Sequence, residues 1–145
     1  MPLFSDLRVG DELPPLKKGP VTRQHLVEWC AAENDYYPLH YDERVATAMR
    51  IPGTPIQGTY KLALIGQLIS NWLNGVGRLR SISVSYRGLD LEGSLITVRG
   101  VVAALTPSDD GTGQAVIEVW VEDADMKRST TGQAVIELPS RSATR

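Results

Sequence analysis

Apolar and polar positions along this chain change period once, near residue 77. Before that point the apolar residues recur at helical spacing, and after it they alternate in twos. Pro2, Pro14, Pro15 and Pro20 make residues 1–20 an extended N-terminal segment with a short strand at 13–17. Thr22 is placed as an N-cap. Leu26, Trp29, Cys30 and Glu33 then follow at the spacing of a helix of about three turns. Residues 34–40 contain Tyr36, Tyr37 and Pro38, and the residue before a proline is pushed out of the helical region, so this stretch reads as a loop. A short helix is expected over 42–49. Pro52, Gly53, Pro55 and Gly58 make an irregular lead-in to the longest helical pattern, 59–74, which Gly75 would end. Leu62, Ile65, Ile69 and Trp72 lie on one face of that helix and Leu64 and Leu68 on another, so it is expected to be enclosed by other structure.

In the second half, Ile82, Val84 and Tyr86 alternate with Ser81, Ser83 and Ser85, which predicts a half-buried strand. Residues 95–105, 114–122 and 133–138 are rich in β-branched side chains and are separated by turn chemistry at 89–93, 107–113 and 123–127. The words Thr-Gly-Gln-Ala-Val-Ile-Glu beginning at Thr112 and at Thr131 are identical, as expected of two neighbouring strands under similar constraints. Residues 140–145 read as a disordered tail. The order of elements predicts an α+β domain, an antiparallel sheet curled around a long central helix.

Composition narrows the function classes. The 145 residues, 42% hydrophobic and 22% charged, fit one soluble globular domain. Fifteen basic against 17 acidic residues leave a net charge of −2, so there is no electrostatic footprint for nucleic acid or an anionic membrane. Cys30 is the sole cysteine, which excludes an internal disulfide and fits a reducing compartment. Asp6 and Arg8 interrupt any apolar leader, and Gln67, Ser70 and Asn71 interrupt the least polar stretch, so a cytoplasmic protein is expected.

With only two histidines and no cluster at ligand spacing, no metal site is expected. Asp123 and Asp125 read as solvated turn residues. The Gly53–Gly58 run has Thr59 where a phosphate loop needs its lysine, and no Gly-x-Ser-x-Gly elbow is present. Cys30 reads as an inert buried thiol, and His25, in a first helical turn, as a surface or capping residue. His40 stands apart. It follows Asp35 by five residues across a proline-containing loop, which can bring an imidazole and a carboxylate to bear on one small molecule. Such a pair can equally do no more than solvate a loop.

Asp35, Tyr36, Tyr37, Pro38, Leu39 and His40, followed after five residues by Ala46, resemble the hydratase motif of the MaoC-like (R)-specific enoyl-CoA hydratases, a branch of the hot-dog fold. In that family the motif runs Asp-x-Asn-Pro-aliphatic-His, five residues, then a small residue. A His-Gly opens the family's long helix, where this chain has Gln57 and Gly58. Ser81 to Tyr86, then Arg87, Gly88 and Gly93, are similar to the family's strand that ends in an Arg and a glycine-containing turn. The resemblance spans roughly residues 22–138 and departs at Asn34, Tyr37 and Gln57, where the family has Gly, Asn and His.

The resemblance implies a single MaoC-like hot-dog domain over 1–145 that adds water reversibly to a trans-2-enoyl-CoA. Asp35 and His40 would hold the water, and the backbone N–H of Gly58 would meet the thioester oxygen at a helix N-terminus, which physics favours. Tyr36, Tyr37, Gln57 and Arg87 are candidate substrate-binding residues. Lys61, Arg78 and Arg80 join Arg87 as candidates for the coenzyme A phosphates, each with a solvated surface charge as the alternative. No cofactor is implied beyond the coenzyme A of the substrate. A homodimer is expected, with a heteromer containing a second hot-dog subunit as the alternative, because pairing would hide an exposed strand edge. Small subunits of heteromeric hydratases for steroid side-chain acyl-CoAs give a looser resemblance, and Tyr37 and Gln57 point to a branched, aromatic or polycyclic acyl group. A hot-dog acyl-CoA thioesterase or a non-catalytic acyl-CoA-binding subunit are further alternatives. The thioesterase usually carries its carboxylate on or near the central helix, whereas 59–74 holds neither Asp nor Glu.

Overall fold

The computed structural model describes residues 2–141. Its elements in chain order are β1 (Leu16–Lys18), α1 (Arg23–Glu33), α2 (Glu43–Ala48), α3 (Gly58–Leu73), β2 (Arg78–Tyr86), β3 (Ile96–Pro107), β4 (Thr112–Glu122) and β5 (Arg128–Pro139). Every strand pairing is antiparallel, and the five strands form one sheet in the order β1-β3-β4-β5-β2. The alternation of burial along β3 and β4 sends Ile96, Val98, Val102, Ala115, Ile117, Val119 and Val121 to the concave face. Ala134, Ile136 and Leu138 join them from β5.

Against that face lies α3, whose Leu64, Ile65, Leu68, Ile69 and Leu73 are all buried in the same core. Each such side chain contributes ~1.5–3 kcal/mol on leaving water. The sheet therefore wraps the one strongly apolar helix, as its pattern predicts. Leu13, Val21, Leu26 and Ile56 complete the same core.

The repeated word lies in β4 and β5, which are neighbours. The register places Val116 opposite Val135, so Ala115 faces Ile136 and Ile117 faces Ala134. Running antiparallel, one word meets its own copy with small opposite large, and all four flanking side chains are fully buried. Gly132 is required by its neighbour: a Cβ there would stand 2.0 Å from the Ser83 carbonyl oxygen of β2.

Local signals hold at the helix ends. The Thr22 hydroxyl accepts from the backbone N–H of His25, and His25 Nδ1 accepts from the Thr22 N–H at 3.0 Å, a reciprocal cap. The expected role of His25 is therefore the observed one. Asn34 ends α1 at φ 55° and ψ 38°, in the left-handed region. Asn74 does the same for α3, one residue before the expected Gly75. Asp42 caps α2 through Arg44 N–H at 2.9 Å.

Three expectations need adjusting. The N-terminal segment is extended but carries a single 3-10 turn at Phe4–Asp6, and residues 10–13 pair with β3 through Gly10 N–H to Val102 O at 2.8 Å and Leu13 N–H to Gly100 O at 2.9 Å. β5 begins at Arg128, five residues before the strand expected from 133. The tail is anchored at its start: Ser140 N–H donates to Gly111 O at 2.9 Å, and Arg141 reaches Asp6 at 3.3 Å. The remaining tail residues, 142–145, lie outside the described residues.

Candidate active site

The left-handed turn at Asn34 stops α1 and redirects the chain, and Asp35 N–H closes the turn on Cys30 O at 3.0 Å. Asparagine is among the few side chains that tolerate this region, so it can stand where the related motif has glycine. Asp35 is exposed. Its Oδ1 accepts from the Tyr37 N–H at 3.2 Å, a local turn bond that leaves the other oxygen free to face a ligand.

Pro38 opens a 3-10 turn, Pro38–His40, which carries the imidazole. His40 is half-buried, and its Nδ1 lies 2.8 Å from the Pro55 carbonyl oxygen. A carbonyl only accepts, so Nδ1 donates and carries the proton. In the neutral ring Nε2 is then left with its lone pair, the state that a general base requires. The Tyr37 ring meets His40 edge-on at 6.2 Å between centroids, and its hydroxyl donates to Met49 Sδ at 3.5 Å. Tyr37, Val45, Ala48 and Met49 line a shallow open depression beside this turn.

Three residues after Pro55, Gly58 begins α3. Its N–H has no acceptor among the described residues, as helix geometry requires of a first-turn donor. A side chain fits only if the Tyr86 ring moves: a Cβ on Gly58 would lie 2.9 Å from Cε1 and Cζ of Tyr86, the last residue of β2. The Tyr86 phenol is raised above its ordinary pKa by burial and, secondarily, by the negative charge of Glu33. Glu33 itself accepts from the Thr59 hydroxyl at 2.6 Å, and Thr59 accepts from Trp29 Nε1 at 2.9 Å. By its sequence pattern Tyr86 reads as a strand residue only. The signal for more was present, since the alternation in β2 puts Tyr86 with Ile82 and Val84 on the concave side, at the end nearest the start of α3.

The structure brings Asp35, Tyr37 and His40 together on one loop and ties that loop to the lead-in of α3. Tyr36 is exposed, and its carbonyl accepts from the Tyr41 hydroxyl at 2.8 Å. Gln57 is only 3% exposed and turned inward: Nε2 donates to Leu26 O at 2.9 Å and to Cys30 Sγ at 3.3 Å, binding α3 to α1. Its Oε1 is buried without a partner among the described residues. Arg87 follows Tyr86 directly and keeps an exposed guanidinium with no ion pair among the described residues.

Lys61 must be withdrawn from the coenzyme A candidates. Its side chain is 2% exposed, and its ammonium donates to Asp90 Oδ2 at 3.0 Å, Gly88 O at 3.2 Å and Ser129 Oγ at 3.3 Å. Arg80 is drawn toward Glu137 at 3.8 Å, whereas Arg78 is exposed.

Residues 7–128 match the family described as the MaoC like domain. The fatty acid synthase subunit beta of Aspergillus oryzae is 29% identical over 119 residues, 72% of this chain but only 6% of that much longer protein. Among solved structures, the (R)-hydratase from A. caviae involved in PHA biosynthesis superposes with a TM-score of 0.82 at 22% identity, covering 92% of this chain and 98% of the other. The ChsH1–ChsH2 complex from Mycobacterium tuberculosis gives 0.75 at 21% identity, with 92% and 98% covered. At these identities the structural matches establish the hot-dog fold. Among the described residues no helix is long and apolar enough to cross a membrane.

Proposed function

This chain belongs to the MaoC-like domain family, and from that premise we propose that it is an (R)-specific enoyl-CoA hydratase, adding water reversibly to a trans-2-enoyl-CoA. One observation carries the reading. His40 donates from Nδ1 to the Pro55 carbonyl at 2.8 Å, which leaves Nε2, on the loop that holds Asp35, as the proton-accepting nitrogen of the neutral ring. A water held between Nε2 and the free oxygen of Asp35 gives its hydroxyl to the β-carbon of the enoyl thioester. Its remaining proton passes to the pair, and a proton is delivered to the α-carbon. A positioned acid or base of this kind supplies ~10²- to 10⁴-fold.

Negative charge gathers on the thioester oxygen as the β-carbon is attacked. The unpaired Gly58 N–H, at the positive end of α3, meets it, and one such donor is worth ~3 kcal/mol in the transition state. Tyr36 and Tyr37 border the acyl group, and Arg87 offers an unpaired charge to a coenzyme A phosphate. The chemistry needs no cofactor beyond the thioester's own coenzyme A.

Loss of the enoyl thioester absorbance on crotonyl-CoA and on a ring-bearing enoyl-CoA tests the reading, with the product's configuration as a second readout. Hydration to the 3R product is expected. Failure on both substrates, alone and with any co-purifying subunit, overturns it.

A second reading concerns the assembly. β2 is an edge strand, and its concave residues Ile82 and Val84 are only half-buried while Tyr86 is 49% exposed. Such an edge invites pairing with a second hot-dog chain. A homodimer through β2, with coenzyme A near the interface, satisfies this. The two-chain composition of the mycobacterial neighbour favours a heteromer as the alternative. Light scattering on the isolated chain separates the two: a monomer that becomes active only with a partner supports the heteromer.

A further inference from the structure

We propose that the buried Lys61–Asp90 ion pair is a positioning device that sets the Gly58 N–H and the His40 imidazole relative to one another; the proposal rests on the hydratase reading for what that spacing serves. Lys61 stands in the first turn of α3, one turn ahead of Leu64 and Ile65 on the core-facing side, where an apolar side chain would pack without a desolvation cost. Both charged side chains are at most 3% exposed. A buried pair is a poor source of stability compared with apolar residues of the same volume, so its stability alone does not account for it.

Its geometry does. All three ammonium protons of Lys61 are engaged, by Asp90 Oδ2, Gly88 O and Ser129 Oγ, and Ser129 Oγ also donates to Asp90 Oδ2. The Asp90 side chain is thus fixed to the turn of α3 that carries Gly58. The Asp90 backbone points the other way: its carbonyl accepts from the Ile56 N–H at 2.8 Å, and Leu91 bridges Pro55. Pro55 supplies the carbonyl that orients His40 at 2.8 Å. Asp90 is therefore the junction between the oxyanion donor and the base. An aliphatic pair would fill the same space without directional bonds and would leave the segment 55–56 free to shift.

The test uses the 145-residue chain with Lys61→Met combined with Asp90→Asn, which removes both charges and leaves no buried ion unpaired. Nitrogen-15 NMR of the imidazoles, without substrate, reports which nitrogen of His40 carries the proton. His25, the other histidine, holds the opposite tautomer through its Nδ1 acceptor role and is the internal control. The expected result is a folded variant in which His25 is unchanged and His40 loses its single Nδ1–H state. In the same variant kcat falls about tenfold or more while KM moves less than about threefold. Ser129→Ala, which takes one bond from each partner and leaves the two charges paired, carries the same readout if the double variant does not fold. A wild-type His40 spectrum, or a wild-type kcat, in a folded variant overturns the proposal. Because the spectrum needs no substrate, it still decides the matter of His40 placement if the wild type hydrates no enoyl-CoA.

Discussion

The ring of Tyr86 occupies the space where a side chain on Gly58 would begin, with Cε1 and Cζ 2.9 Å from that position. The contact joins the last residue of β2 to the first residue of α3. The ring is the outer end of a side chain that is 49% exposed, so it can swing away where a backbone atom could not. Gly58→Ala is therefore expected to change stability by no more than ~1 kcal/mol, since alanine also favours the helix. Activity should fall about tenfold or more, because the ring is displaced across the donor. Adding Tyr86→Ala should recover part of that loss. Steady-state kinetics on the two variants, with melting curves, check both halves; full activity in Gly58→Ala would show that the ring does not bear on the donor.

Asp35→Asn and His40→Gln should each lower kcat by ~10²-fold or more and leave the fold intact. Asp35 is exposed and His40 only half-buried, so neither change opens a cavity. Circular dichroism establishes the fold, and single-turnover rates isolate the chemical step. Near wild-type turnover in both variants would contradict the roles given to this pair.

Two glycines of the sheet should respond differently to alanine. At Gly132 the added carbon meets a backbone oxygen of β2 at 2.0 Å, whereas at Gly113 it meets the Phe4 ring at 2.4 Å. Only the ring can move aside. Gly132→Ala is expected to cost ~3 kcal/mol or more and to loosen β2 from β5, and Gly113→Ala distinctly less. Urea unfolding measures both, and light scattering on Gly132→Ala reports whether the edge formed by β2 also holds an assembly together.

Acid should weaken the fold through Glu92 and Glu122. Burial alone would raise both carboxyls, but Thr54 and Arg23 bonded to Glu92, and Arg99 and Trp120 bonded to Glu122, outweigh it and hold both below their ordinary value of 4.5. The folded state therefore binds these protons less readily than the unfolded chain. The stabilisation is fully present above about pH 4.5 and is lost as pH falls through the lower folded values. Urea midpoints from about pH 6 to about pH 3 should fall less steeply in Glu92→Gln than in the wild type. Parallel slopes would remove Glu92 from the acid limb.

The residues differ in how openly they declare their roles. Thr22, the alternation from Ser81 to Tyr86 and the twin words of β4 and β5 act through local geometry, and each is found where the sequence places it. Asp35, His40 and Gly58 were singled out by their spacing and its resemblance to a known motif. Lys61 reads from the sequence as a coenzyme A phosphate candidate or a solvated charge, because a lysine on a helix is ordinarily a surface residue. Its 3.6-residue phase with Leu64, Ile65 and Leu68 already put it on the core side, and only the distant Asp90 makes that tolerable. The same network hides the start of β5. Ser129 and Thr130 have turn chemistry, yet both are buried, Ser129 against Lys61 and Asp90, which no neighbour in sequence announces. Asn34 is a departure from the related motif on paper and a left-handed helix end in space.

The crossing of the two identical words in β4 and β5 has a bearing on how this sequence can drift. Ala115 faces Ile136 and Ile117 faces Ala134, so enlarging either alanine overfills a spot that its partner already fills. A larger residue at one position becomes tolerable only after the opposite one has shrunk. The four sites thus behave as two epistatic couples, and an Ala115→Ile exchange should be neutral when made together with Ile136→Ala and harmful when made alone. Among homologues, size at these positions should covary across the ladder, while each strand on its own looks freely variable.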